Sequence, residues 1–381
     1  MTYRLSARRS SVVFSVLALA AGLSVAAGSG AAQAAHAMPA KNTGWRVIRT
    51  IGPNNTILNN IVAFHHSSAW LGGSVLSPTH QFFAAVYRLS SGRLHQIPLT
   101  KQLGTGVNGL SATSTTNVWA SLAGVLGGQV DRLTTHGWHP YPFAISSDDI
   151  LMSPVVTLGP KDTWVLDEDF TTHTAYGYQF NGSKWHRQVL PAFPDANSGN
   201  GYVSGSAGNN IWALISASNQ PASMRYNGSK WQVVKFPAYL ASTGTTLGGR
   251  QILALSPKDV WATIGTSTTT GVGPVVLLHW TGRNWSKITG KLPKASLSGP
   301  VASDGNGGVW LSAVNAADTV PLILHFSRGH WSTFHVPTDK GKLLSIQQLT
   351  LIPGTRSVIG TATIAGSGES TDGTAVIKFG P

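Results

Sequence analysis

Tryptophan returns along this chain with a near-constant beat. Trp70, Trp119, Trp164, Trp212, Trp261 and Trp310 are spaced by 49, 45, 48, 49 and 49 residues. Each sits in a similar frame, such as Asn117-Val118-Trp119-Ala120, Asn210-Ile211-Trp212-Ala213 or Asp259-Val260-Trp261-Ala262. A degenerate seventh copy follows one period on, at Arg356-Ser357-Val358-Ile359-Gly360. Self-similarity at this period means one supersecondary unit used repeatedly, each copy burying its apolar face against the next. The repeated residues therefore build scaffold, and function belongs where the copies differ.

The copy around Trp212 reads as four short strands. Gly201 to Gly205 forms strand a, Asn210 to Ser216 strand b, Ala222 to Tyr226 strand c and Lys230 to Phe236 strand d. Asn227-Gly228 between two apolar runs marks a hairpin, because both central residues of such a turn need positive φ. Asn181-Gly182 repeats it, with His136-Gly137, Thr281-Gly282 and Arg328-Gly329 as relatives. A second tryptophan then opens strand d, at Trp138, Trp185, Trp231, Trp285 and Trp331, with Leu94 in the first unit. The remaining copy of that residue is Trp45, which precedes every strand a. Thr374 to Phe379 reads as a strand c with no strand d after it. The two ends therefore complete one unit, which closes the array into a ring. Closure leaves only short edges. The expected fold is all-β: a seven-bladed β-propeller of four-stranded antiparallel blades, closed by the N-terminal strand completing the last blade.

Strand d carries Arg46, Arg49, Arg93, Lys184, Arg187, Lys230, Lys235 and Lys287 and no acidic residue in any copy. Cations on an exposed edge block edge-to-edge pairing; the rival reading is a basic rim that holds anionic polymers. The first 34 residues read as a signal peptide. Arg4, Arg8 and Arg9 are followed by an apolar run over 12–27, too short for the ~20 residues of a membrane span, and by A-x-A cleavage motifs. Residues 35–41 form a short linker and 42–381 a single domain. Without the three leader arginines, 24 Lys and Arg face 14 Asp and Glu. Cysteine is absent, which excludes disulfides and thiolate metal sites, so the core alone must hold the domain together.

With Asp-Val-Trp-Ala on strand b and His279-Trp280-Thr281-Gly282-Arg283-Asn284-Trp285 across a c–d turn, the chain resembles exported bacterial β-propellers of the kelch or WD-like kind. The resemblance spans about residues 42–381 and implies a fold, not an activity. Regular double glycines, Gly-His and Trp-Asp pairs and sialidase Asp boxes are missing. The likeness to streptogramin-lyase propellers stops at their Trp-Phe-Thr-Glu glutamate, which no copy has.

In such a ring the b–c loops and d–a connections share one face. Six of the 14 acidic residues fall there in the blade-3 sector: Asp148, Asp149, Asp167, Glu168, Asp169 and Asp195, with His173 nearby. These are the candidate ligand-binding residues. Clustered carboxylates suit Ca²⁺, although the spacing fits no EF-hand, and solvated polar loops are the plainer reading. A pair of carboxylates also suits a polysaccharide-directed lyase or hydrolase. Lys291, Lys294, Lys340 and Lys342 lie across the ring. Inner strands present Asn59, Asn60, Ser204, Gln251, Gln347 and Gln348, with only Asp304 among acids, in the tight a–b turn Asp304-Gly305-Asn306-Gly307-Gly308: a neutral polar channel mouth with no clustered acid, base or nucleophile. The adjacent His65 and His66 point to opposite faces of a strand and cannot share one metal. No catalytic residue, Gly-x-Ser-x-Gly elbow or phosphate loop is found. The expectation is a secreted or envelope-associated monomer, binding a protein, a polysaccharide or an anionic wall polymer, with no nucleic acid and no transmembrane segment after leader removal.

Overall fold

The computed structural model describes residues 44–52, 56–65, 67–77, 81–99, 105–123, 129–142, 150–151, 154–169, 174–191, 201–217, 220–237, 240, 246–268, 271–289, 295–315, 320–366 and 371–380. The leader and linker expected over 1–41 lie outside them, as does His66.

Seven antiparallel sheets follow one another along the chain. After β1 (Trp45–Ile51), blade 1 takes β2 (Thr56–His65), β3 (Ser68–Leu76), β4 (Phe82–Ser90) and β5 (Arg93–Ile97). Blade 2 holds β6 (Gly106–Ser114), β7 (Asn117–Ala123), β8 (Gln129–Thr134) and β9 (Gly137–Tyr141). In blade 3 the inner strand is broken into β10 (Ile150–Leu151) and β11 (Val156–Gly159), both paired to β12 (Asp162–Asp169), with β13 (Thr174–Phe180) and β14 (Trp185–Val189) outside. Blade 4 comprises β15 (Gly201–Ala207), β16 (Asn210–Ala217), β17 (Gln220–Tyr226) and β18 (Trp231–Val234). Blade 5 is β19 (Thr246–Ser256), β20 (Asp259–Thr268), β21 (Gly271–Trp280) and β22 (Trp285–Lys287). Then come β23 (Ala295–Ser303), β24 (Val309–Asn315), β25 (Pro321–Ser327) and β26 (His330–His335) as blade 6. Blade 7 contains β27 (Leu344–Leu351), β28 (Val358–Ala365) and β29 (Thr371–Phe379), and β1 is its outermost strand, with Trp45 opposite Phe379 and Ile51 opposite Thr374. The ring closes through the N-terminal strand, as the repeat phase requires.

The two tryptophans of each repeat are partners across the seam between blades. Trp70 meets Trp138, Trp119 meets Trp185, Trp164 meets Trp231, Trp212 meets Trp285 and Trp310 meets Trp45, with ring centroids 5.4–6.3 Å apart and planes near perpendicular at 76–83°. Edge-to-face geometry is what the ring quadrupole favours. Between blades 5 and 6, Phe326 lies between Trp261 and Trp331. The exception explains itself. Blade 7 has Ile359 where strand b carries tryptophan, and blade 1 has Leu94 where strand d does, and these two share one core cluster. Both degenerate positions face the same seam.

The inner strands are cross-linked by the polar residues expected to line a channel. Asn60 Nδ2 donates to Val107 O, and the Oγ atoms of Ser111 and Ser204 accept from the N–H groups of Thr157 and Ala254. Gln251 Oε1 accepts from Val301 N–H. At the closing seam Thr374 Oγ1 accepts from Leu58 N–H and donates to Thr56 O. Asn60, Ser204 and Gln251 are therefore seam links, because neighbouring inner strands converge with main-chain groups that need partners. The break in blade 3 has a local cause as well. A Cβ on Gly109 would stand 2.4 Å from Pro154 Cα, and proline has no N–H for a ladder.

Candidate functional site

Three residues of the acidic sector lie on a strand and not on the b–c loop expected for them. Asp167, Glu168 and Asp169 close strand β12, where Glu168 and Asp169 pair with Ala175 and Thr174 of β13. The hairpin continues past the apolar stretch, which places all three inside the ladder. Asp167 is fully buried, so its carboxylate is not presented to solvent on a binding face. Asp148, Asp149, His173 and Asp195 lie outside the described residues, as do Lys291 and Lys294. Lys342 forms an ion pair with Asp372, and Thr50 donates a hydrogen bond to Asp339. That connection thus fastens the last blade. Among the described residues no three His, Cys, Asp or Glu side chains gather as a metal site.

Asp131 escaped the sequence reading. The residue opposite the one that follows the strand-b tryptophan is Tyr87, Asp131, Tyr178, Met224, Leu278 and Leu324 in blades 1 to 6, and Ile377 at the equivalent place in blade 7. The one carboxylate in this column is fully buried. Aligning the copies residue by residue exposes it; counting acids by loop does not. Asp167 is a second such case, standing where the other blades place Gly73, Leu122, Ile215, Ile264, Ala313 and Ala362.

A third group sits on the seam tryptophans. Strand c places Arg88, Arg132 and Arg225 over Trp70, Trp119 and Trp212 at 5.3–5.8 Å, within cation–π reach. In blades 5 and 6 the same position is His279 or His325, stacked on Trp261 or Trp310 at 4.0 Å. These histidines donate from Nε2 to Asp259 Oδ1 at 2.8 Å and to Asp304 Oδ2 at 2.9 Å. Where arginine stacks in blades 2 and 4, the residue two before the tryptophan is Asn117 or Asn210, and its Oδ1 accepts the indole N–H. Burial pushes the Asp304 pKa up. The hydrogen bond from His325 and the N–H groups of Gly308 and Asn306 more than offset that, and the net shift is downward.

The outer rim is the described surface with the most functional character. β1, β5, β9, β14, β18, β22 and β26 contain no Asp or Glu. Arg46, Arg49, Arg93, Arg187 and Lys287 on these strands, and Lys184, Lys230 and Lys235 beside β14 and β18, are all exposed. Between blades 2 and 3 this rim opens into a cavity of about 380 Å³, walled by β9 and the β13–β14 turn.

No protein-family model matches the sequence, and no curated protein is significantly similar to it. Similar solved structures exist. A structure titled "YCF48 bound to D1 peptide" superposes with a TM-score of 0.55 at 13% identity, covering 91% of this chain and all of that one. U3-55K gives 0.56 at 10% identity, covering 89% and 99%. The polysaccharide lyase Uly1 gives 0.54 at 10% identity, covering 84% and 89%. At such identities the likeness establishes the seven-bladed β-propeller and nothing finer. No helix among the described residues is long and apolar enough to cross a membrane.

Proposed function

We propose that this protein is an exported, non-catalytic binding module of the kelch or WD-like kind that holds an anionic polymer of the cell envelope or its surroundings along its outer rim. The observation that carries this reading is the run of exposed cations on or beside five of the seven outer strands, none of which holds a carboxylate. Blocking of strand edges needs only scattered charges. A rim free of acids, with cations on or beside five blades, also creates a positive field that concentrates a polyanion. Likeness to a polysaccharide lyase and to a peptide-bound propeller is compatible with binding. An enzyme working through the blade-3 acids is the weaker reading, because Asp167 is sealed in the core.

The test is retention of the mature protein on immobilised polygalacturonate, with amylose as the neutral control, from 50 to 500 mM NaCl. Exposed charge contacts are screened over this range, so retention should fall at least tenfold. The triple variant Arg93→Glu, Lys230→Glu, Lys287→Glu should bind weakly even at low salt. Equal retention on amylose, or none on polygalacturonate at 50 mM, would overturn the proposal.

A further inference from the structure

The cavity between blades 2 and 3 has a lining unlike its surroundings. His139 and Tyr141 come from β9, Phe180 from the end of β13, and Ser183, Lys184 and Trp185 from the turn and start of β14. His139 and Tyr141 are edge-to-face at 5.2 Å, Tyr141 and Phe180 at 5.1 Å, and Phe180 and Trp185 lie 5.3 Å apart. The wall is therefore a continuous run of rings, anchored on the buried Trp119 behind it. Trp138, Trp231, Trp285 and Trp45 are buried, whereas Trp185 and Trp331 are only partly so.

This is also where the copies diverge. Strand d of blade 2 reads Trp138-His139-Pro140-Tyr141 and is followed by Pro142. No other strand d has proline on both sides of an aromatic. The two prolines fix φ on either side of Tyr141 and hold that wall stiff. Across the cleft, Asn181 Oδ1 accepts from Ser183 N–H, Ser183 Oγ–H and Lys184 N–H at 3.0 Å, which fixes the backbone that carries Lys184. A volume of about 380 Å³ falls within the ~300–1,000 Å³ of small-ligand sites.

Stiff aromatic faces, one lysine, one histidine, a hydroxyl and no carboxylate in the lining describe a site for a ring with apolar faces that also bears an anion. We propose that this cleft binds an acidic pyranose, the uronate unit of an anionic polysaccharide. Its C–H face rests on Tyr141 and Trp185, and its carboxylate is taken by Lys184 and His139. A bare polyanion would leave the aromatic wall unused, and a neutral sugar would leave Lys184 without a counter-charge. The inference rests on the rim-binding reading and gives it a chemical identity.

The experiment titrates the mature protein with trigalacturonate, reading tryptophan fluorescence and calorimetry, with maltotriose and triglutamate as controls. Saturable binding of trigalacturonate alone is expected, and the rim variant Arg93→Glu, Lys230→Glu, Lys287→Glu should leave it unchanged. Lys184→Glu removes an exposed side chain without touching the core and should weaken binding about tenfold or more. His139→Ala should weaken it less. Trp185→Leu should abolish the fluorescence response; because it also removes the seam contact with Trp119, Lys184→Glu with unaltered thermal unfolding is the deciding variant. Absent saturation, equal binding of triglutamate, or an unaffected Lys184→Glu would each overturn the cleft. Polymer retention that is lost in the triple rim variant would survive those results, whereas trigalacturonate binding with polymer retention unaltered by that variant would remove the rim reading alone.

Discussion

At the scale of single residues, Asp304 shows how one carboxylate organises a turn and a seam together. It accepts from Asn306 N–H at 2.7 Å, Gly308 N–H at 2.8 Å and His325 Nε2 at 2.9 Å, and His325 is the ring stacked on Trp310. Its folded pKa lies below the ordinary 3.8. The stabilisation it confers is therefore complete above the unfolded value and is lost as pH falls through the lowered folded value. Asp304→Asn should cost about 2 kcal/mol near neutrality. It should also flatten the fall in stability expected of the native protein below about pH 4. Urea denaturation at pH 7 and in a series down to pH 2.5 measures both, and an unchanged acid slope in the variant would refute the assignment. Asp304 was legible from the sequence as part of a tight a–b turn, since Asp-Gly-Asn-Gly-Gly is turn chemistry. Its second role was not, because the histidine that meets it stands 21 residues away. The same limit hid Asp131 and misplaced Asp167. An acid beside another charged residue, as Asp131 is beside Arg132 and Asp167 beside Glu168, reads as solvated, and only the register of neighbouring strands puts it in the core.

Between strands, the unit of stability is the pair of rings that spans a seam. Trp212 and Trp285 meet edge-to-face at 5.5 Å and both are buried. Each should cost about 3–5 kcal/mol when replaced by alanine. Because they lose the same contact, the double variant should cost less than the two single losses added, by about 0.5–3 kcal/mol. Additive losses in chemical denaturation would mean that the rings stabilise their own blades separately. Gly109→Ala tests the other seam device. The new Cβ would fall 2.4 Å from Pro154 Cα, a backbone atom that cannot rotate away. Overpacking of this kind costs about 1–3 kcal/mol, and thermal unfolding should register it. Strand order, blade number and the tryptophan columns could be read from the sequence because they follow a period. The split of β10 from β11, the serine and glutamine links and the pairing of Leu94 with Ile359 could not. Each joins residues of different copies, and a repeat seen along one chain carries no record of which copies touch.

For the whole molecule the decisive contact is the one that turns a row of blades into a ring. β1 supplies blade 7 with six paired residues, a buried Trp45 and a hydrogen bond from Arg46 Nη1 to Gly380 O at 2.7 Å. Trp45 also reaches across the seam to Trp310, and Phe379 lies 4.6 Å from the same ring. Blade 6 is thereby packed on both termini at once. Without β1 the outer edge of β29 would present unpaired main-chain groups and an apolar face, the condition in which strands recruit one another. Thr374 would still bridge to blade 1 through Thr56 and Leu58, so the ring should loosen at blades 6 and 7 before it opens. A chain lacking residues 42–52 should therefore unfold at a lower temperature and self-associate. Adding the peptide 42–52 should restore thermal stability in proportion to the logarithm of its concentration once above its dissociation constant, since it binds only the folded ring. The readouts are a melting curve at several peptide concentrations and the sedimentation profile of the shortened chain. A peptide in which Trp45 is alanine should rescue far less, because the seam ring is gone while most of the backbone pairing remains. Should the shortened chain melt where the intact one does, closure by the N-terminal strand would be geometry without energetic consequence, and the stability of this fold would have to be sought blade by blade.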